Sequence, residues 1–204
     1  MSELATSATA VKTNERVEAD AKATFGFWVY LMTDCVLFAS LFAVFAVLRG
    51  NTFGGPSGQQ LFSLPYVLTE TIILLTSSLT CGLAILSAQR GSKNQTLLWF
   101  GVTFALGLAF LIMELTEFRH LAAMSDSWRR SGFLSSFFTL VGTHGLHITA
   151  GLLWMTIQSG MVWKRGLTRK NLRQLTMLSL FWHFLDIIWI FIFTIVYLMG
   201  AVPV

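Results

Sequence analysis

The sequence predicts an all-α, polytopic membrane protein built as a bundle of five transmembrane helices. Hydrophobic residues make up 54% of its 204 residues and charged residues only 12%, whereas a soluble domain has about 25% charged residues. Five apolar stretches follow one another, and each reaches the roughly 20 residues that a helix needs to cross a bilayer. The transmembrane domain therefore covers residues 25–204, which leaves no room for a separate soluble domain.

Residues 1–24 form a polar N-terminal tail that contains both acidic and basic residues. It lacks the short apolar core and small-residue cleavage site of a secretory signal peptide. We therefore expect a mobile tail in the cytoplasm, with the first membrane span beginning at about Phe25.

The flanking residues set the boundaries of the spans. The first span ends before Arg49, and the following loop contains glycines and Pro56, which favour turns. The second begins at Pro65, a residue suited to the first turn of a helix. Tyr197, near the end of the last span, is typical of an interfacial anchor. The predicted spans are 25–48, 65–88, 97–118, 132–163 and 174–199.

The distribution of lysine and arginine predicts the orientation. Ten of the 14 lie in the tail, in the loop after the second span and in the loop after the fourth span; the other four, including Arg129 and Arg130, lie on the opposite side. Loops rich in these residues stay in the cytoplasm, so we expect a cytoplasmic N-terminus and a periplasmic C-terminus. The net charge of +4 thus reflects topology and does not indicate nucleic acid as a partner.

Every span carries an ionisable residue that membrane insertion does not require. A charged side chain at the bilayer centre costs at least about 2 to 3 kcal/mol, so such residues are candidates for function. Asp34, His183 and Asp186 are predicted near the midplane. The full set of candidate site residues is Asp34, Glu70, Glu114, Glu117, His144, His147, His183 and Asp186.

Depth places five of these candidates in one layer in the outer half of the bundle: Glu70, Glu114, Glu117, His144 and His147. Carboxylates can hydrogen-bond imidazoles there, so we expect an interhelical polar cluster. Three interpretations of this cluster stay open: a structural contact between helices, a proton-conducting or regulatory role, and a metal or haem site. The structural contact is favoured over the other two. The pair His183 and Asp186, spaced to share one helix face, is interpreted as an interhelical polar contact.

The number of possible ligands argues against a redox centre in this chain. It has four histidines, fewer than a catalytic haem–copper centre needs, and neither a CxxCH haem attachment nor a glycine-rich phosphate loop. Cys35 and Cys81 lie in apolar runs and are expected to be free, buried thiols. We therefore expect no catalytic, cofactor-binding or metal-binding residues.

Four segments resemble subunit III of haem–copper respiratory oxidases. They are FWVYLMTDC at 27–35, MELTEF at 113–118, GTHGLHITAG at 142–151 and FWHFLDIIW at 181–189. The resemblance covers about residues 25–200 in order. With five predicted helices instead of seven, and with RSGFLS at 130–135, the chain is most similar to the cytochrome o (bo-type) ubiquinol oxidase branch of this family.

The resemblance implies a non-catalytic, multi-pass subunit of a bacterial inner-membrane complex that oxidises ubiquinol, reduces oxygen to water and pumps protons. It implies that subunit I is the main partner and carries the haems and copper, whereas this chain binds phospholipid in a cleft and supports sustained pumping. It also matches Asp34 to a carbodiimide-reactive glutamate of cytochrome c oxidase subunit III, although aspartate is one methylene shorter.

Two alternative functions stay open. One is subunit III of a cytochrome c oxidase or of a related reductase. The other is an independent proton channel or transporter, for which internal repeats and helices broken at the midplane would be typical. We find no internal repeat, and the three prolines lie outside the predicted helix interiors, so the transporter is the less favoured alternative.

Overall fold

The computed structural model describes residues 2–50, 64–123 and 132–200, and over these ranges the chain is helical without any strand. The elements are α1 (Ser2–Leu48), α2 (Leu64–Gln89), α3 (Lys93–Ala123), α4 (Gly132–Arg165) and α5 (Arg169–Ile192), which continues as a π-helical turn (Phe193–Leu198). The all-α prediction is confirmed. The predicted turn at Pro56 and the arginines at 129 and 130 lie outside the described residues.

Helix α1 begins at Ser2, well before the predicted start of the first span at Phe25. Residues 2–24 contain neither glycine nor proline and are rich in alanine, glutamate and lysine, which are good helix formers. Nothing in that stretch stops the helix, although its polarity distinguishes it from the span. The chain forms two structural units, Met1–Leu37 and Phe38–Val204, and each is described by itself.

Within the described ranges, four helical segments are long and apolar enough to cross a membrane: Glu18–Leu48, Leu64–Gln89, Lys93–His120 and Arg169–Leu198. Helix α4, with 34 residues, is not one of them. It carries two histidines, several hydroxyl residues and five glycines between positions 132 and 165, which lower its hydropathy.

Short turns connect the helices of the second unit. Gly91, between α2 and α3, has φ +76°, and Gly166, between α4 and α5, has φ +71°. This left-handed backbone suits glycine, which has no Cβ to clash. Thr168 caps α5 by accepting a hydrogen bond from the Asn171 backbone N–H. Both turns reverse the chain, so α2 runs antiparallel to α3, and α4 runs antiparallel to α5.

The core of the second unit is built around Trp182 and Trp189 of α5, which are 1% and 0% exposed. Glycines make room for the first indole: a Cβ at Gly107 would lie 2.7 Å from Trp182 Cη2, and a Cβ at Gly151 would lie 3.1 Å from Cζ3. The ring of Trp182 is therefore held between the backbones of α3 and α4. The close packing of α3 and α4 against Trp182 sets the distances between α3, α4 and α5. These distances determine which polar side chains of the three helices can come into contact.

Candidate functional site

Three carboxyl groups and a phenol meet inside the second unit. Glu70 of α2 and Glu114 and Glu117 of α3 lie close enough for their charges to interact, and all three interact with Tyr197. Glu70 is 0% exposed and Glu114 is 2% exposed. We call these four residues the carboxyl cluster.

The π-helical turn at the end of α5 brings Tyr197 into this cluster. In a π-turn the backbone bonds run from residue i to i+5, and such turns are frequent at functional sites. Tyr197 is fully buried, and its hydroxyl donates a 3.1 Å hydrogen bond to Glu117 Oε2. The prediction of an interfacial anchor at Tyr197 is therefore wrong, because the half-buried Glu117 carboxylate supplies the partner that water would supply at the interface.

The other two carboxyl groups are less well satisfied. The four carboxyl oxygens of Glu70 and Glu114 are buried and have no hydrogen-bond partner among the residues that the structure describes. Glu114 lies against the backbone of α4, where a Cβ at Gly145 would come within 2.8 Å of its Oε1. Unpaired buried polar groups are costly. The cluster brings together side chains of α2, α3 and the π-helical turn after α5, and it therefore links these three elements.

His144 lies in a box of aromatic rings. Its imidazole stacks on Trp189 at 5.3 Å between ring centroids, and the edges of Phe110 and Phe38 approach at 6.1 and 6.4 Å. The ring is fully buried, and neither nitrogen has a hydrogen-bond partner in the described parts of the chain. The expected pairing of this histidine with a carboxylate is not formed, because aromatic rings occupy the positions around it.

His147, one turn further along α4, has a different environment. Its Nδ1 lies 2.7 Å from the backbone oxygen of Thr143, to which a ring N–H donates. The imidazole also packs against Phe38 at 5.3 Å and Phe181 at 6.5 Å. His147 is thus held by a hydrogen bond within α4, whereas the His144 ring has no such bond. The two histidines of α4 therefore have different environments.

His183 and Asp186 of α5 both lie near the same residue of α2. Ser78 Oγ lies 2.6 Å from His183 Nδ1, and Asp186 is close enough to Ser78 and His183 to interact with them electrostatically. Sequence reasoning did not identify Ser78, although a hydroxyl in the middle of an apolar helix is a signal that could have been used. We call these three residues the serine cluster.

Two further hydrogen bonds continue this contact between α2 and α5. Trp182 Nε1 donates to Ser77 Oγ and Trp189 Nε1 donates to Thr71 Oγ1, each at 3.1 Å. Both hydroxyls donate in turn to carbonyls of their own helix. The two indoles therefore align α5 along α2, which fixes the position of the serine cluster.

Asp34 belongs to the first unit, apart from the other seven candidates. It is 5% exposed and lies one helical turn from Tyr30, close enough for their charges to interact. Asp34 is therefore a buried carboxyl group on α1.

The side-chain geometry of the described residues offers no metal site. No three His, Cys, Asp or Glu side chains in that part of the chain converge as a bound metal ion requires. Cys81 is free and buried, and Cys35 is free and half-buried.

Known proteins resemble this chain over nearly its whole length. Residues 5–201 match the family described as cytochrome c oxidase subunit III. A Pseudomonas aeruginosa protein named cytochrome bo(3) ubiquinol oxidase subunit 3 is 61% identical over 90% of this chain and 88% of its own. A Pseudomonas putida protein of the same name is 55% identical over 86% and 85%. A Bacillus sp. PS3 protein named cytochrome c oxidase subunit 3 is 46% identical over 86% of each.

Proposed function

The chain belongs to the cytochrome c oxidase subunit III family, and we propose that it is the non-catalytic subunit III of a bacterial ubiquinol oxidase. The complex would oxidise ubiquinol, reduce oxygen to water and pump protons across the inner membrane. The observation that carries this proposal is the 61% identity, over 90% of the chain, to a protein named as subunit 3 of a ubiquinol oxidase. The identity falls to 46% for the relative named as a cytochrome c oxidase subunit.

Helix α4 is, in this proposal, the fifth membrane span. Its 34 residues extend about 51 Å at 1.5 Å per residue. The surface that it presents outward is apolar, since Leu146, Leu153 and Ile157 are 71%, 64% and 53% exposed. Its hydroxyls donate to carbonyls of their own helix, which lowers their cost in lipid; they belong to Ser136, Thr139, Thr143, Thr149 and Thr156.

The orientation that we propose puts the tail, residues 1–24, in the cytoplasm and the C-terminus in the periplasm. The positive charge distribution supports it. A 2.8 Å hydrogen bond from Lys93 Nζ to the backbone oxygen of Trp163 joins two of the regions assigned to the cytoplasm, which supports their lying on the same side of the membrane. Alkaline phosphatase fused to the C-terminus should be active in cells, since that enzyme folds in the periplasm. An inactive fusion that is stably produced would contradict the orientation.

The haems and copper belong, in this proposal, to subunit I, which we take as the main partner. Among the described residues no three His, Cys, Asp or Glu side chains converge, and the imidazole of His144 faces aromatic rings. The carboxyl cluster then serves as a contact between helices. A proton-related role for it, and a modulatory role for Asp34, are the alternatives that a complex with proton-pumping activity would allow.

Membrane phospholipid is the second partner that we propose. A cleft of about 220 Å³ opens between α3 and α4 toward the proposed cytoplasmic side, and its walls are apolar apart from two hydroxyls. It is lined by Leu97, Phe100, Gly101, Phe104, Met155, Thr156 and Ser159. A cleft of this kind fits an acyl chain, with the lipid head group at the nearby interface.

Purification of the tagged chain from its own membranes in a mild detergent tests the proposed function. Haem, copper and ubiquinol oxidase activity should co-purify in a fixed ratio with the chain. A haem-containing complex that oxidises reduced cytochrome c but not ubiquinol would favour the second candidate, the cytochrome c oxidase. A haem-free homo-oligomer would overturn both and favour an independent channel or transporter.

A further inference from the structure

The end of the second unit that we assign to the cytoplasm carries seven basic side chains: Arg90, Lys93, Lys164, Arg165, Arg169, Lys170 and Arg173. Residues 71–113 and 127–185, which include this whole end, contain no aspartate or glutamate. The negative charge that balances these cations must therefore come from outside these two stretches. Anionic lipids of the cytoplasmic leaflet are one such source, because they attract lysine and arginine beside a membrane span.

The cleft between α3 and α4 begins beside this basic end. Lys93 lies one helical turn before Leu97, and Trp163 lies one turn after Ser159; Leu97 and Ser159 both line the cleft. Lys93 Nζ donates a 2.8 Å hydrogen bond to the backbone oxygen of Trp163. The ammonium group therefore bridges α3 and α4 at the mouth of the cleft.

The bridging ammonium group keeps donors for a ligand. A lysine has three N–H donors and no acceptor, and one of the three goes to Trp163. Lys164 and Arg165 follow directly and are exposed, so they add positive charge at the same level. The indole of Trp163 is 74% exposed, which is typical of a tryptophan at the level of lipid head groups. A phosphate at this point would accept charge-assisted hydrogen bonds, which are stronger than neutral ones.

The cleft itself has the shape and polarity to hold a lipid tail. Its lining residues on α3 extend from Leu97 to Phe104, which is about 10 Å along the helix axis. A Cβ on Gly101 would meet nothing within 4 Å, so this wall of the cleft is open. One acyl chain can thus lie between the two helices while its phosphate stays at Lys93.

We propose that the cleft and Lys93 together bind an anionic phospholipid of the cytoplasmic leaflet, with an acyl chain between α3 and α4 and the phosphate at Lys93 Nζ. The inference rests on the proposed function, in which membrane phospholipid is a partner, and it adds the charge of the head group and the leaflet. A zwitterionic lipid is disfavoured, because its head group brings a further cation to an end that already has seven. An anionic lipid reduces the repulsion among those cations instead.

The lipid retained by the intact, purified oxidase complex tests the site. The complex is incubated in a mild detergent with equal amounts of phosphatidylglycerol and phosphatidylethanolamine and washed, and the bound lipids are quantified by mass spectrometry. The native complex should retain mainly phosphatidylglycerol. Lys93→Gln should lower the retained phosphatidylglycerol about fivefold, as expected for one cation near an anionic head group, and Gly101→Leu, which fills the cleft, should lower it at least as much.

Two matched controls accompany these variants. Lys170→Gln removes one charge from the same end, but on α5, which contributes no lining residue. Gly26→Leu enlarges an exposed helical glycine of α1 that also has nothing within 4 Å of a Cβ. Both controls should retain phosphatidylglycerol as the native complex does.

Different outcomes separate this inference from the proposed function. A complex that contains haem and copper and oxidises ubiquinol, but retains the two lipids equally, overturns the anionic lipid site alone. An equal loss of phosphatidylglycerol in Lys93→Gln and Lys170→Gln also overturns it, because the preference would then reflect the overall charge of this end. Unchanged retention in Gly101→Leu overturns the assignment of the acyl chain to the cleft. A chain that purifies without haem overturns the proposed function itself.

Discussion

Replacement of Gly107 by alanine should destabilise the protein, because the added methyl group would lie too close to the indole of Trp182. The added methyl carbon would lie 2.7 Å from Cη2 and 2.8 Å from Cζ2 of Trp182, whereas carbon atoms pack at about 3.5 to 4.0 Å. The indole would have to move by nearly 1 Å. It cannot do so freely, because Gly151 backs it from the opposite helix and its Nε1 donates to Ser77.

The expected size of this effect follows from three contributions. Overpacking of a well-packed core costs about 1 to 3 kcal/mol, and loss of the bond to Ser77 adds about 1 kcal/mol. The higher helix propensity of alanine offsets about 1 kcal/mol. The free energy of unfolding of Gly107→Ala should therefore fall by about 1 to 3 kcal/mol.

Gly101 provides a matched control six residues earlier on α3. A Cβ there would meet nothing within 4 Å, so Gly101→Ala should gain helix propensity of up to about 1 kcal/mol and lose nothing. The two alanine variants should then differ by about 2 to 4 kcal/mol. Reversible unfolding in detergent micelles, titrated with SDS and followed by circular dichroism, measures the difference. Equal stability of the two variants would refute the reasoning that the backbone of α3 supports Trp182.

Three further substitutions test other contacts. Trp189→Phe removes the indole donor to Thr71 while keeping an aromatic ring, and should lower the free energy of unfolding by about 1 kcal/mol in the same SDS titration; an unchanged midpoint would contradict this. Tyr197→Phe removes the bond to Glu117 and should cost about 1 kcal/mol, with helix content by circular dichroism unchanged. Asp34→Asn should leave assembly of the oxidase intact and reduce its ubiquinol turnover only in part, so that complete loss of turnover would count against a modulatory role.

The helices could be predicted from the sequence because apolar length and flanking residues act locally. Glycines and basic residues end α2 and α4, and the predicted spans fall on the five helices, except that Met199 lies just beyond the π-helical turn. Less could be predicted for α1, since the same alanines and charged residues that make residues 2–24 polar also favour helix. For α4, polar side chains within the helix reduce its hydropathy, although five hydroxyls and His147 hydrogen-bond carbonyls of their own helix, which a hydropathy scale does not take into account.

The sequence indicated which polar residues are candidates and at what depth they lie, but not which residues they contact. The spacing of His183 and Asp186 indicated a shared face, and His183 hydrogen-bonds Ser78 while Asp186 lies near both. That partner is 105 positions from His183, so no local pattern reveals it. His144 was expected beside a carboxylate and instead meets aromatic rings. The π-helical turn that redirects Tyr197 into the core leaves no residue signature either.

The two polar clusters differ in how they can communicate with their surroundings. In the carboxyl cluster, Glu70, Glu114 and Tyr197 are each at most 2% exposed, whereas the fourth member, Glu117, is half-buried and connects the cluster to the surface. The serine cluster borders an open cleft through His183, so a ligand from the membrane can reach it without rearrangement of the fold. Glu117 is therefore the point at which the carboxyl cluster meets its surroundings, and His183 is that point in the serine cluster. The indole bonds to Ser77 and Thr71 already align α5 with α2, so the bond between His183 and Ser78 adds a third polar contact between the same two helices.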